Sequence, residues 1–219
     1  MAWAVERLAG PAADLHARSV ADPPARAVWV IEVTAPALVL GSTQPELAVD
    51  GAACRAAGVE VVRRRSGGGA VLVVPGEATW IDVVVPRDDD LWDDDVGRAT
   101  GWLAAVWVAA LADLGVAAGP HAGPMARPEW SELVCFAGRA PGELLVGGSK
   151  VVGVAQRRTR SWARFQCAVL RSWDPVPLLG LLALDPADRA RAAEQLAPVA
   201  VGVDRDPSEV AAAFLARLP

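Results

Sequence analysis

The sequence predicts a mixed α/β fold of the α+β kind, on three observations. Valine-rich runs of strand length alternate with helical stretches along most of the chain. Glycine and proline clusters punctuate the junctions between them. The 219 residues are 53% hydrophobic, sufficient for a full core, so residues 1–219 read as one domain with a helical C-terminal segment from about residue 175.

The elements follow in order. Residues 28–33 and 37–40 read as strands, 46–57 as a helix, and 59–64 as a strand entering the loop Ser66–Gly69. The β-branched run Val71–Val74 leaves that loop, and a further strand covers 79–85. The acidic run Asp88–Asp95 precedes a long helix over 96–114, where its carboxylates complement the helix dipole, and Gly115 stops that helix. Trp102, Val106, Ala109 and Ala110 are spaced for its buried face. The glycine- and proline-rich stretch 118–128 reads as a loop, either a substrate gate or a plain connector. Residues 133–136, 143–146, 150–156 and 162–170 supply a second run of strands. Beyond Pro175 the chain reads as helical, with Asp185-Pro186 and Asp206-Pro207-Ser208 as start signals.

Composition bounds the function. A formal net charge of −5 argues against nucleic acid as a partner, since no long basic face accompanies the clustered arginines. The N-terminus lacks a cationic start followed by an apolar stretch, and no uninterrupted apolar run approaches the ~18 residues of a membrane span, so a cytoplasmic protein without a membrane partner is expected. Cys54, Cys135 and Cys167 form no CxxC pair, and His16 and His121 lie far apart, so neither a zinc site nor a Ser-His-Asp triad is indicated.

Two segments carry chemistry. Among 21 lysines and arginines Lys150 is the only lysine, and it sits in the glycine-containing, strand-like segment GGSKVVGVAQRR. Lysine offers a compact ammonium on a flexible stem where arginine offers a rigid fork, so a chain this biased towards arginine points to a specific task at residue 150. The other segment is VVRRRSGGGAVLVV, residues 61–74. Consecutive glycines let main-chain N–H groups approach a ligand without Cβ interference, and flanking arginines supply donors for phosphate or carboxylate. A plain hairpin turn with solvated arginines is the competing reading. The glycines match neither a Walker loop, which needs Lys-Ser/Thr leading into a helix, nor a dinucleotide fingerprint, because SGGGAV leads into a strand.

RRRSGGGAV at 63–71 followed by GSKVVGVAQRR at 148–158 resembles the lipoate-protein ligase and octanoyltransferase family, within the biotin/lipoate ligase catalytic domain superfamily. The likeness extends more weakly over residues 28–170. It implies a biotin/lipoate-ligase-like catalytic domain that activates lipoate or octanoate with ATP and Mg2+ to an acyl-adenylate. The acyl group then passes to a lysine of a lipoyl-acceptor domain, in an oxoacid dehydrogenase complex or glycine cleavage H protein. By motif position Lys150 would hold and polarise the reacting carbonyl, Arg64 would lie along the acyl tunnel, and Ser66, Gly67, Gly68, Gly69 and Ala70 would approach the adenylate. Gly153 and Ala155 of the second motif join this substrate-binding set. Glu132 stands where the family has the aspartate of Asn-Asp-Leu, and would help hold Mg-ATP.

The resemblance implies a rival chemistry as well. In one octanoyltransferase class a Cys-Phe pair some fifteen residues before the lysine takes octanoate from acyl carrier protein as a thioester, and Cys135-Phe136 has that placement. Departures from the family pattern are Leu72, Val73 and Val74 in place of an aromatic residue with His-Asp, and Gln166-Cys167-Ala168 in place of His-Gly-Ser/Thr. They leave room for an altered acyl substrate, or for a non-catalytic homologue that binds an acylated or lipoyl domain.

Overall fold

A computed structural model describes residues 2–219. The chain runs β1 (Ala4–Gly10), α1 (Ala12–Ala17), β2 (Ala27–Val33), β3 (Ala37–Leu40), α2 (Gly51–Ala56), β4 (Glu60–Arg63), β5 (Val71–Val73), β6 (Ala78–Pro86) and α3 (Gly101–Asp113). It continues through β7 (Gly119–Pro120), β8 (Leu144–Val146), β9 (Ser149–Arg158), β10 (Trp162–Leu170), α4 (Pro175–Leu179), α5 (Pro186–Leu196) and α6 (Pro207–Ala216). Among the described residues no helix is long and apolar enough to cross a membrane.

The strands form two sheets, one of seven in the order β1-β2-β6-β10-β9-β8-β7 and one of three in the order β4-β3-β5. Both are mixed: β1 runs parallel to β2 and β3 parallel to β4, while the remaining neighbours are antiparallel. Strand β6 lies inside the large sheet and is buried from Thr79 to Pro86, which is why its sequence TWIDVVVP lacks the alternation of a half-exposed strand. One face of the large sheet packs on α3 and α6 through Ile81, Val83, Phe165, Trp107 and Phe214. The opposite face meets the small sheet through Trp29, Ile31, Val84, Val39 and Val62. Helices α4 and α5 and the turn between them cover the far side of the small sheet, with Leu178, Leu196 and the turn's Leu182 against Leu38 and Leu40.

The helix starts obey local chemistry. Asp174, Asp185 and Asp206 cap α4, α5 and α6 by accepting from Val176, Asp188 and Ser208 N–H at 2.9, 2.9 and 2.8 Å, each with proline at the start of the helix. Four sequence expectations are corrected. The helix expected over 46–57 is a 3-10 turn at Glu46–Ala48 followed by α2, because Asp50 caps the amides of Ala52 and Ala53 and so fixes a new start. The strand expected over 133–136 is one parallel bridge, Ala70 with Val134, followed by a 3-10 turn at Cys135–Ala137. The helix expected from 96 begins as a 3-10 turn at 98–100, and the buried face of α3 is Leu103, Ala104, Val106, Trp107, Ala110 and Leu111, with Ala109 and Trp102 only half-buried. Strand β1 and helix α1 had no counterpart in the sequence reading, since β1 is an exposed edge strand with little hydrophobic pattern.

Trp107 is fully buried, with its ring 4.4 Å from that of Phe214. We expect Trp107→Ala to lower the free energy of unfolding by about 3–5 kcal/mol. The check is a fall in the urea midpoint with unchanged slope; a midpoint equal to the parent's would show that the α3–α6 contact lies outside the cooperative core.

Candidate active site

The glycine segment turns sharply because it must pass between two other stretches of backbone. A Cβ on Gly69 would lie 2.6–2.8 Å from main-chain atoms of Val134 and Cys135, and one on Gly41 would lie 1.8 Å from the carbonyl oxygen of Gly68. Gly68 itself has φ +102, a conformation that other residues adopt only with strain. The crossing is stitched by two hydrogen bonds, Ala70 N–H to Leu133 O at 2.7 Å and Cys135 N–H to Ala70 O at 2.9 Å.

Two arginines of the RRR run hold this backbone. Arg64, 4% exposed, donates to Gly67 O at 2.7 Å and to Gly69 O at 3.0 Å, and its Nη2 lies 3.5 Å from Cys135 Sγ. Arg63 donates to Gly41 O and Gln44 O at 3.0 and 2.6 Å. Gln44 joins the next segment, donating to Glu132 O and Leu133 O at 2.9 and 3.1 Å.

Strand β9 brings Lys150 to the same place. Its ammonium is 1% exposed, 2.8 Å from Glu143 Oε2 and 3.1 Å from the Cys135 carbonyl oxygen, and it stands 5.5 Å above the Phe136 ring. Glu143 is fixed in turn by the amides of Ala140 and Val154 at 2.7 and 3.2 Å. Nothing in the sequence singled out Glu143, which reads as the first residue of a short strand.

A cleft of about 610 Å3 opens over these groups. Gly67, Gly68 and Gly69 form one side, Lys150 and Glu143 part of the floor, and Arg127 and Arg139 part of the lining. Glu132 and Ser131 also line it; the Glu132 side chain is exposed. The stretch 118–128, considered above as a gate, contributes Met125, Ala126 and Arg127 and is tied down by paired hydrogen bonds between Ala126 and Arg139. Among the described residues no three His, Cys, Asp or Glu side chains converge to hold a metal.

A second, apolar cavity lies between the two sheets, lined by Val39, Val71, Val73, Trp80 and Phe136, with Arg64, Gly153 and Ala155 beside them. Cys135, Val154 and Ala155 belong to the lining of both spaces, so the thiol sits where the apolar cavity meets the cleft. Polar groups occur on its wall as well. Ser66 donates to Gln166 Oε1 at 2.8 Å, and the Gln166 amide donates to His16 Nδ1 at 3.3 Å and to Asp82 Oδ2 at 3.4 Å. Asp82 also accepts from Trp80 Nε1 at 2.7 Å and from Arg164 Nε at 2.6 Å. Burial pushes the Asp82 carboxyl up, against the pull of Arg164 and the Trp80 indole. Burial first, then the charges of Arg164 and Arg64, lower the His16 pKa to about 3, so its imidazole is neutral.

Of the residues singled out in the sequence, Lys150, Cys135, Gly67, Gly68, Gly69, Glu132 and Ala155 meet at the cleft, while Arg64 and Gly153 face the apolar cavity. Ser66 and Ala70 are 2% and 0% exposed and lie outside the lining of both spaces. His16 reaches the cavity only because α1 folds over it, a placement that spacing in the chain does not reveal.

The chain matches the family model of the lipoyl protein ligase A/B catalytic domain over residues 13–204. It belongs to that family. No curated protein sequence gives a significant match. Among solved structures it is similar to lipoate-protein ligase A bound with ATP, at 20% identity and TM-score 0.73 over 99% of this chain and 84% of that one. It is similar to a bipartite lipoate protein ligase of an archaeal lipoylation system, described with its E2 lipoyl domain, from Thermoplasma acidophilum, at 19% identity and TM-score 0.75 over 99% and 82%. A P. falciparum LipL1 structure in complex with lipoate shares 10% identity at TM-score 0.66 over 98% and 60%. At these identities the likeness establishes the fold alone, a mixed α/β architecture in agreement with the sequence reading.

Two measurements test this geometry. We expect Gly69→Ala to destabilise the protein and part the Ala70–Val134 bridge, read as a lower melting temperature and faster amide exchange at Ala70 and Cys135; unchanged exchange would show that the crossing tolerates a Cβ. His16 takes up a proton in the unfolded chain near its ordinary value of 6.5 and in the folded chain only near 3. Its contribution is therefore complete above pH 6.5 and is lost as pH falls towards 3, by at most about 1.4 kcal/mol per pH unit. We expect His16→Gln to flatten the fall in urea midpoint between pH 7 and 5; parallel curves for parent and variant would contradict a buried neutral imidazole.

Proposed function

We propose that the chain is a protein-lipoylating ligase of its family. It activates lipoate or octanoate with Mg-ATP and passes the acyl group to a lysine of a lipoyl-acceptor domain, in an oxoacid dehydrogenase complex or glycine cleavage H protein. The observation that carries this reading is the position of Lys150, a buried ammonium lining the cleft that adjoins the apolar cavity. The cavity has the apolar lining an acyl chain needs but a volume of only about 60 Å3, so its walls would part to admit one; the cleft has room and charge for a nucleotide, with glycine-loop amides and Arg127 and Arg139 on its lining. Glu132, an exposed carboxylate on the same cleft, would complete Mg2+ coordination already dominated by phosphate.

In the first step the acyl carboxylate attacks the α-phosphorus of ATP and pyrophosphate leaves. In the second the acceptor amine attacks the acyl carbonyl, loses its proton and expels AMP. Negative charge gathers on phosphoryl and carbonyl oxygens in both, where a preorganised ammonium stabilises the transition state more than the ground state.

A second reading is favoured by Cys135, whose thiol sits at the junction of cavity and cleft beside Arg64. Its thiolate would attack the octanoyl thioester of acyl carrier protein, release the carrier thiol and then yield the acyl group to the acceptor amine. A non-catalytic homologue that binds acylated domains would retain binding without Lys150 or Cys135.

The test is the intact mass of an apo lipoyl domain incubated with the protein, once with lipoate and Mg-ATP and once with octanoyl carrier protein alone. For the ligase we expect a lipoyl adduct only with ATP, a loss of at least ~100-fold in Lys150→Met, and retained activity in Cys135→Ser. An octanoyl adduct without ATP that vanishes in Cys135→Ser would establish the transferase instead, and no adduct in either tube would point to the binding role.

A further inference from the structure

The carboxylate that faces Lys150 has no role in the chemistry above. Glu143 follows the Pro141-Gly142 turn, where Gly142 has φ +83, and its carboxylate is almost fully enclosed. It accepts three N–H groups: Ala140 N and Lys150 Nζ on Oε2 at 2.7 and 2.8 Å, and Val154 N on Oε1 at 3.2 Å. Two of these donors are main chain, from the turn before β8 and from β9. The carboxylate is thus fixed by the scaffold independently of the lysine.

Lys150 is the freer partner. Its side chain has several rotatable bonds, and its ammonium has two oxygen partners, Glu143 Oε2 and the Cys135 carbonyl at 3.1 Å. An ammonium has three N–H donors, so one remains for an oxygen arriving from the cleft that Lys150 lines. Without Glu143 the buried charge would keep only a carbonyl and the Phe136 ring, and the stem would let it swing towards solvent.

We propose that Glu143 is the positioning residue for Lys150, a backbone-anchored carboxylate that sets where the ammonium meets the reacting oxygen. This rests on the reading that Lys150 acts on the acyl group. A carboxylate that merely balanced charge would affect stability and leave turnover per folded molecule unchanged. One that positions Lys150 governs turnover, because a misplacement of about 1 Å costs up to ~100-fold in rate.

The experiment has two arms. In the first, Glu143→Gln is assayed, well below its melting temperature, with whichever acyl donor the parent uses. We expect kcat to fall at least ~10-fold while KM for the acyl substrate stays within ~3-fold, and a kcat within ~2-fold of the parent overturns the proposal. The second arm needs no turnover, because Lys150 is the only lysine in the chain. Reductive methylation of Lys150 is measured against an added lysine peptide, in the parent, in Glu143→Gln and in Leu111→Ala, a core variant in α3. We expect methylation to rise several-fold in Glu143→Gln and not in Leu111→Ala. An unchanged rate, or an equal rise in both variants, overturns the proposal. If the parent uses neither acyl donor, the proposed function falls and the methylation arm alone decides the role of Glu143.

Discussion

The close crossing of three backbone segments at Gly41, Gly68–Gly69 and Val134–Cys135 is the constraint on which the rest of the site depends. No side chain fits at Gly41 or Gly69, because a Cβ there would lie within 3 Å of main-chain atoms. The crossing ties the small sheet, through the end of β3 and the loop before β5, to the turn that carries Cys135 and Phe136. Lys150 then bonds to the carbonyl of Cys135. The glycine loop and the lysine are thus mechanically linked through two hydrogen bonds between Ala70 and the 133–135 segment. Arg64 reinforces the link from the other side by closing the loop carbonyls onto one guanidinium.

Buried charge is the cost of this arrangement. Lys150 with Glu143, Arg164 with Asp82 and Arg26 with Asp89 are three ion pairs sequestered from water. Pairs of this kind seldom stabilise more than apolar residues of the same volume, whereas removing one partner leaves an uncompensated charge at a cost of about 3–5 kcal/mol. Their presence is better explained by the geometry they impose. Arg164 illustrates it: besides Asp82 it donates to the carbonyls of Leu15 and Arg18, which fastens the end of α1 to β10 and holds His16 over the cavity. The apolar layers on both faces of the large sheet offset that cost.

The strands were legible because valine-rich runs bounded by glycine and proline permit little else, and residues 28–33, 79–85 and 162–170 lie within one residue of β2, β6 and β10. Lys150 stood out because it is the only lysine in the chain, and the glycine loop because three glycines run together beside three arginines. Glu143 was not, since a single glutamate at the start of a short strand looks like any solvated one until β9 places a lysine and an amide against it. His16 was hidden for the same reason: it reaches the cavity through a fold-level contact spanning 150 residues. Ser66 was singled out by its place in the motif, and its hydroxyl donates to Gln166.

That last pair bears on the departures from the family pattern. Val73 and Val74 stand where the resemblance would place His-Asp, and Gln166 where it would place histidine. Gln166 is bonded to Ser66, His16 and Asp82, which come from three other parts of the chain. His16 is neutral, and Asp82 is paired with Arg164, so this network adds no unpaired charge to the cavity wall. The cavity between Val71, Val73 and Trp80 holds only about 60 Å3, so a hydrocarbon chain would enter by parting apolar side chains, while the polar atoms of the wall already have partners and would add no desolvation penalty. The polar support of the cavity is thus satisfied within the chain, and its lining stays apolar.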